Sequence, residues 1–416
     1  MELLKALRGF RDIYGEEVER FNLIEGVSRK YLGLLGYREI EVPILEKTEL
    51  FTRSIGDTTD IVEKEMFTFI DRSGDAVTLR PEGTAGVVRA YLQAGFYAKE
   101  RTSRLFTMGP MFRHERPQKG RFRQFSQMDV EVFGIEEPLV DGELIWMISL
   151  ILGALGVKGY TIEVGSVGCR GCREEFRRDL VAFLASRKEG LCEDCADRLA
   201  RNPLRIFDCK NAPCGEALLQ APVLFDYLCG PCRAHFDRLL GGLDRFHVPV
   251  TVNKRLVRGL DYYTRTVFEV TSDDLGAQKA FAAGGRYDNL VEEMGGPSVP
   301  GIGFAIGMER LSLLVPGLPQ RQVPLYFLAT LGEEAGEWLI PILSAFVASD
   351  VPLAYAVPGK SLKSQMKYAH GLGADYVLIL AEEELSKGVI LLRDMKDGTQ
   401  KELPLDADRL PSLVRQ

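Results

Sequence analysis

The stretch GPMFRHERPQKGRFRQFSQMDVEVFG, Gly109 to Gly134, decides the reading of this chain. Six basic or imidazole side chains, Arg113, His114, Arg116, Lys119, Arg121 and Arg123, crowd into eleven positions. The chain as a whole is acidic, with 52 Lys and Arg against 59 Asp and Glu, so this concentration marks a local phosphate site rather than a general affinity for polyanions. Charge runs are usually solvated faces. Here the flanks argue otherwise: Arg104 to Met111 and Gln127 to Val132 read as strands, with Gly109, Pro110 and Gly120 punctuating a hairpin. A hairpin would hold its arginines in place.

Three further segments stand in order around it: TLRPEGT (Thr78 to Thr84), RGLDYYTRTVFE (Arg258 to Glu269) with AAGGRYDNLV behind it, and GIGFAIGMERL (Gly301 to Leu311). With these neighbours, GPMFRHERPQKGRFRQF resembles motif 2 of the class II aminoacyl-tRNA synthetases, in the wording of the histidyl branch. GIGFAIGMERL is similar to motif 3 and REIEVPIL (Arg38 to Leu45) to motif 1. The resemblance covers nearly the whole chain and thins over Val167 to Val248. It implies an α+β fold: an antiparallel-sheet catalytic domain with motif 1 at a homodimer interface, a cysteine-rich insertion, and a C-terminal α/β domain that binds the anticodon.

The bulk sequence is compatible with this. At 416 residues, 46% hydrophobic and 27% charged, the composition is that of a globular chain of two or three domains and argues against disorder. The longest uncharged apolar run, Leu144 to Val157, is too short for a bilayer span and reads as a buried helix. Glu2 and Lys5 stand where a secretory signal needs its apolar core, so a cytoplasmic protein is expected. Val18, Phe21, Ile24, Val27, Tyr31 and Leu34 recur at helical spacing up to Gly36, and Ile40 and Val42 alternate with Glu39 and Glu41 before Pro43 as in an edge strand. Further strands are expected at Thr78 to Pro81, Leu105 to Phe112, Gln127 to Phe133, Thr161 to Val164 and Val267 to Thr271.

From Pro324 onward strands (Leu325 to Ala329, Leu353 to Val357, Tyr376 to Leu380) alternate with helices around Trp338 to Phe346 and from Ser361, the pattern of an α/β domain. VPGLPQRQVP, Val315 to Pro324, reads as the linker. The expected division is catalytic domain 1–166 and 249–318, cysteine-rich insertion 167–248, and anticodon-binding domain 324–416.

Activating an amino acid requires its carboxylate to attack the α-phosphorus of ATP, and the charge that builds there must meet fixed cations. The resemblance assigns Arg113 and Arg258 to it; guanidinium forks bind phosphate bidentately and stay charged. It places Arg310 over the adenine ring with Phe125 on the opposite face, and makes Glu115 a metal or adenine contact, with Mg2+ bridging the phosphates. Telling imidazole from other side chains requires partners for a ring donor and a ring acceptor. Glu131 and Tyr263 are the residues so assigned, with Tyr262 and Tyr287 as walls and Gly284 and Gly285 allowing close backbone approach. Glu82, Thr84 and Gln127 would hold the α-ammonium of L-histidine. A site of this kind needs no editing domain.

For the transfer to tRNA(His), Arg116, Gln118 and Lys119 would approach the acceptor end, and Lys360, Lys363 and Lys367 the anticodon stem from one helical face. One departure is Ser126, where some relatives have histidine.

All eight cysteines fall between Cys169 and Cys232. Cys169/Cys172, Cys192/Cys195 and Cys229/Cys232 are CxxC knuckles, and Cys209 and Cys214 are separated by four residues. The spacing suits two closed four-cysteine zinc sites, or one with free thiols; disulfides and an iron–sulfur cluster are the other possibilities. The metal is expected to lie remote from the adenylate chemistry. Two other functions are open to such a chain. A catalytically silent synthetase paralogue, a regulatory subunit in histidine biosynthesis, would tend to lack the RGLDYY segment and the C-terminal domain, and both are present. A zinc-dependent RNA-binding protein would rest on the cysteines alone.

Overall fold

The computed structural model describes residues 3–56, 59–118, 120–187, 190–209, 211–276, 278–318, 323–357 and 359–415. Lys119 and part of the expected linker therefore lie outside the described residues. The chain divides into two compact units, Met1–Leu318 and Pro319–Gln416.

The first unit contributes β1 (Arg38–Glu39), β2 (Leu45–Lys47), β3 (Phe67–Ile70), β4 (Ala76–Leu79), β5 (Ser103–Phe112), β6 (Gln124–Phe133), β7 (Tyr160–Ser166), β8 (Thr251–Val252), β9 (Thr264–Ser272), β10 (Ala280–Arg286) and β11 (Gly301–Gly307). Eight of them form one sheet in the order β1-β5-β6-β11-β10-β9-β7-β8, and β2-β4-β3 form a small second sheet. The central pairings are antiparallel, and only the two outermost, β1 with β5 and β7 with β8, are parallel. Strict alternation explains how the middle of the sheet is used. On β6, Met128, Val130 and Val132 enter a core that also takes Leu144, Ile148 and Ile151 of the helix Pro138–Ala154, while Gln127, Asp129 and Glu131 face the other way. The helix Glu16–Leu34 adds Phe21, Ile24 and Leu32 to the same core. No helix among the described residues is long and apolar enough to cross a membrane.

The structure differs from the expected hairpin at Gly109 and Pro110, which lie inside β5 rather than at its turn. Pro110 pairs with Ser126 and its carbonyl accepts Arg80 Nε at 2.8 Å. Gly120, with φ 70°, lies in the turn. Motif 1 forms β1 and, at Leu45, opens β2; between them, beyond Ile40, the edge strand gives way because Arg80 takes the Val42 carbonyl through Nη1, at 2.9 Å, and Pro43 has no amide to donate.

Between β7 and β8 the cysteine-rich segment forms the helices Arg170–Ala185, Glu193–Arg201, Ala212–Ala217 and Gly230–Arg245. The last packs Phe236, Leu239 and Leu243 into the core of the large sheet. At this joint Asp141, fully buried, accepts hydrogen bonds from Arg286 Nε at 2.8 Å and Thr266 Oγ1 at 2.6 Å and shares one of 2.8 Å with His235 Nε2.

The second unit is a five-stranded sheet in the order β13-β12-β14-β15-β16, from β12 (Tyr326–Thr330), β13 (Leu353–Tyr355), β14 (Tyr376–Leu380), β15 (Val389–Asp394) and β16 (Gln400–Pro404). The first three are parallel, joined through the helices Leu339–Ala348 and Leu362–Gly371, and the last two add an antiparallel hairpin.

Candidate active site

One row of β6 lines the site. Glu131 accepts Thr84 Oγ1 at 2.6 Å and is also bonded by the Tyr287 hydroxyl. Gly303 pairs directly with Glu131, and a Cβ there would overlap the carboxylate; Gly285 leaves a similar gap, since a Cβ would come within 2.9 Å of the Tyr263 ring. Tyr262, Tyr263 and Tyr287 close the pocket, with ring centroids 4.7 Å apart for the first two and 5.7 Å for Tyr262 and Tyr287.

Beside it, Glu82 accepts the Thr84 and Ala85 amides, both at 2.9 Å, and Gln127 Nε2 donates to Asp129 Oδ1 at 2.8 Å. Three carboxyls are thus buried together. Burial pushes Glu131 well above the usual carboxylate range, raises Glu82, and lifts Asp129 to about 8, where the charge of Glu82 adds to it. Burial thus shifts all three toward their neutral forms, and an arriving cation would shift them back. Asp129 was not singled out from the sequence, although its place in the alternation Gln127, Asp129, Glu131 was a usable signal. Its Oδ2 has no hydrogen-bond partner among the described residues.

The adjoining cleft, about 450 Å3, is lined by Arg113, Glu115, Phe125, Gln127, Arg258 and Arg310 among others. Arg113 is held by its Nε on the Pro81 carbonyl at 2.8 Å and lies over the Phe125 ring at 5.4 Å. Arg258 pairs with Glu269 at 2.8 Å, and Arg310 Nε donates to the Gly120 carbonyl at 3.2 Å. Glu115 is engaged by Arg121 at 2.7 Å. Glu309, also missed, accepts the Ser126 amide at 2.8 Å and so fixes the start of β6. The hairpin tip points its Arg116 and Gln118 to solvent. In the second unit Lys363 and Lys367 are exposed on one helical face; Lys360, expected with them, precedes the helix, because Ser361 caps its start through the Ser364 amide.

The eight cysteines form two quartets, Cys169/Cys172/Cys229/Cys232 and Cys192/Cys195/Cys209/Cys214, each with its sulfurs within 4.8 Å of one another. No disulfide joins them. Sulfur separations of 3.6, 3.9 and 3.9 Å match the edge of a tetrahedron of thiolates about 2.3 Å from a central zinc. Amides of Cys229 and Cys192 donate to Cys172 and Cys214 sulfur, each at 3.2 Å, as expected around a thiolate. The quartets are not remote from the catalytic segment: Arg173, next to Cys172, donates to the Tyr263 carbonyl at 3.1 Å.

An antiparallel sheet presenting a basic hairpin, a carboxylate-lined pocket and a motif 3 arginine to one cleft defines a class II aminoacyl-tRNA synthetase. Residues 9–311 match the family model described as Histidyl-tRNA synthetase. The histidine–tRNA ligase of Geobacter sulfurreducens is 46% identical over 412 residues, covering 99% of this chain and 100% of its own. That of Desulfatibacillum aliphaticivorans is 47% identical over 419 residues, covering 100% of both. The solved structure of apo S. aureus histidyl-tRNA synthetase, 32% identical, superposes with a TM-score of 0.82 over 100% of both chains. The chain belongs to the histidyl-tRNA synthetase family. A structure described as an ATP phosphoribosyltransferase regulatory subunit/histidyl-tRNA synthetase from Bacillus halodurans shares the fold at 20% identity and a TM-score of 0.66, covering 92% of this chain and 98% of its own.

Proposed function

We infer that this chain ligates histidine to tRNA(His) in two steps, and the carboxylate pocket around Glu131 opening beside the arginine cleft carries that reading. In the first step a histidine carboxylate oxygen attacks the α-phosphorus of ATP, the bond to the β-phosphate breaks, and pyrophosphate leaves. Arg113 and Arg258 meet the charge on the phosphoryl oxygens, and Phe125 and Arg310 take the adenine between them. Glu131 with Tyr263 receives the imidazole, while Glu82, Thr84 and Gln127, joined by Asp129, receive the α-ammonium. Magnesium bound with the nucleotide would offset phosphate charge, and of the carboxylates lining the cleft, Glu115, Glu269 and Glu309, the first two are the ones that would hold it. In the second step the terminal ribose hydroxyl of the tRNA attacks the activated carbonyl and AMP leaves. Arg116, Gln118 and Lys119 would guide the acceptor end, and the second unit the anticodon stem.

The divisions 1–166, 167–248, 249–318 and 324–416 serve as the working domains of this reading. Both cysteine quartets have the ligand number and spacing of structural zinc, which would close each without an open coordination position. Apolar surface at Leu45, the last residue of motif 1, and at Phe69 (48% exposed) and Ile70 (66%) on the same small sheet supports a homodimer. Cysteines gathered for metal rather than joined in disulfides suit the cytoplasm. Histidine-dependent exchange of pyrophosphate into ATP is the decisive assay. Exchange supported by another amino acid, or by none, would overturn the assignment.

A further inference from the structure

From Asn253 to the start of β9 the chain has no strand or helix, yet this irregular stretch carries Arg258, Tyr262 and Tyr263. What holds it comes largely from the cysteine-rich segment. Arg205, only 8% exposed, donates from Nη2 to the Gly259 carbonyl at 2.7 Å and to Asp261 Oδ1 at 2.9 Å, with Nε on the same oxygen at 3.2 Å. Asn202 Nδ2 donates to both Asp261 carboxylate oxygens at 3.1 Å. Arg173 takes the Tyr263 carbonyl. The placement of the three donors is not random: Asn202 and Arg205 lie on the stretch between Cys195 and Cys209, two ligands of one quartet, and Arg173 follows a ligand of the other. On the opposite side Gly56 admits Asp261 so closely that a Cβ would lie 2.7 Å from its Oδ2, and the Asp261 amide donates to the Ile55 carbonyl at 3.2 Å.

We propose that Arg205, assisted by Asn202 and Arg173, is a positioning residue for adenylate formation, through which the two cysteine quartets set the geometry of the catalytic segment. The proposal rests on the ligase reading above. Its physical basis is that a loop cannot keep an arginine aligned on a phosphate by itself; a buried guanidinium that binds one carbonyl and one carboxylate fixes two points of that loop at once. Loss of alignment by about 1 Å costs on the order of a hundredfold in rate.

The test uses full-length Arg205→Met, Arg205→Lys and Asn202→Ala, each assayed for histidine-dependent pyrophosphate exchange, bound metal, and hydrogen exchange of the amides of residues 259–263. Arg205→Met is expected to lower kcat by about tenfold or more, to leave the KM for ATP unchanged and the quartets loaded, and to speed amide exchange at 259–263. Arg205→Lys should recover part of both effects, since the ammonium keeps the charge and loses the fork. Unchanged kcat together with unchanged amide exchange in Arg205→Met would overturn the proposal; if that variant fails to fold, the same result in Asn202→Ala does so. Absence of histidine-dependent exchange in the wild type would instead overturn the ligase reading, because amide exchange reports on the clamp without turnover.

Discussion

In the ligase reading proposed above, Arg258 and Glu131 divide the two tasks of the site, charge stabilisation and side-chain recognition. Arg258→Ala is expected to slow adenylate formation by orders of magnitude, since loss of one preorganised charge contact costs about 3 to 4 kcal/mol, while calorimetry still registers histidine binding. Glu131→Ala should raise the KM for histidine far more than that for ATP, measured by pyrophosphate exchange, because the ring donor is left without its acceptor. The buried carboxyls add a pH signature. Asp129 titrates near 8 in the ligand-free protein and has to ionise to face an ammonium, so its proton must leave when histidine binds below that pH. Titrations at neutral pH in buffers of different ionisation heat should therefore reveal proton release on binding, diminishing as pH rises through 8. Asp129→Asn should reduce that release, the rest coming from Glu82 and Glu131; an unchanged proton count would remove Asp129 from the binding step. Arg258, Glu131 and Tyr263 were singled out by the motifs, and the structure brings Glu131 and Tyr263 together around Tyr287 and Arg258 to the adjoining cleft. Asp129 was hidden among them because one carboxylate in a strand has no signature until its face of the sheet is known.

At the scale of elements, the joint between the helix Pro138–Ala154, β9, β10 and the helix Gly230–Arg245 is held by Asp141 and Arg286, both fully buried. Removing Asp141 leaves the buried Arg286 with Asp288, at 3.0 Å, as its remaining counter-charge and strips His235 and Thr266 of their acceptor, so Asp141→Ala is expected to cost about 3 kcal/mol in denaturant unfolding. The cysteine knuckles start three helices: Cys169, Cys192 and Cys229 are each the residue before the first helical turn. The sequence shows the knuckles but not their partners. One quartet is nested within the other: the short helices from Cys192 to Cys214 gather their own four sulfurs, and Cys169 and Cys172 are left to meet Cys229 and Cys232 across them. Elemental analysis is expected to find two zinc ions per chain, falling to one in Cys214→Ser; a single ion in the wild type would leave one quartet as thiols. Gly109 and Pro110, turn-like by composition, lie in β5 because their other neighbours, Arg80 and β6, supply the hydrogen bonds that a turn would otherwise make.

For the whole molecule, the two compact units suggest separable half-reactions. Truncation after residue 318 is expected to leave pyrophosphate exchange near wild type and to weaken aminoacylation of tRNA; normal charging by the truncated chain would show that the second unit does not contribute to tRNA selection. The parallel part of the second sheet was legible from the alternation of strand and helix, whereas the hairpin β15–β16 was not, because its exposed strand Gln400–Pro404 carries little apolar pattern.

Sequence alone exposed the local patterns: the basic hairpin, the RGLDYY and GMERL segments, and the confinement of cysteine to one stretch. Each is a property of neighbouring residues, so spacing suffices to expose it. Tertiary structure decided what depends on contacts across long separations: the sheet order that sets Gly303 against Glu131, the division of the cysteines into two quartets, and the reach of Arg205 to Asp261. Such pairings follow from burial and hydrogen bonding of the whole sheet and its insertion, and no local periodicity encodes them.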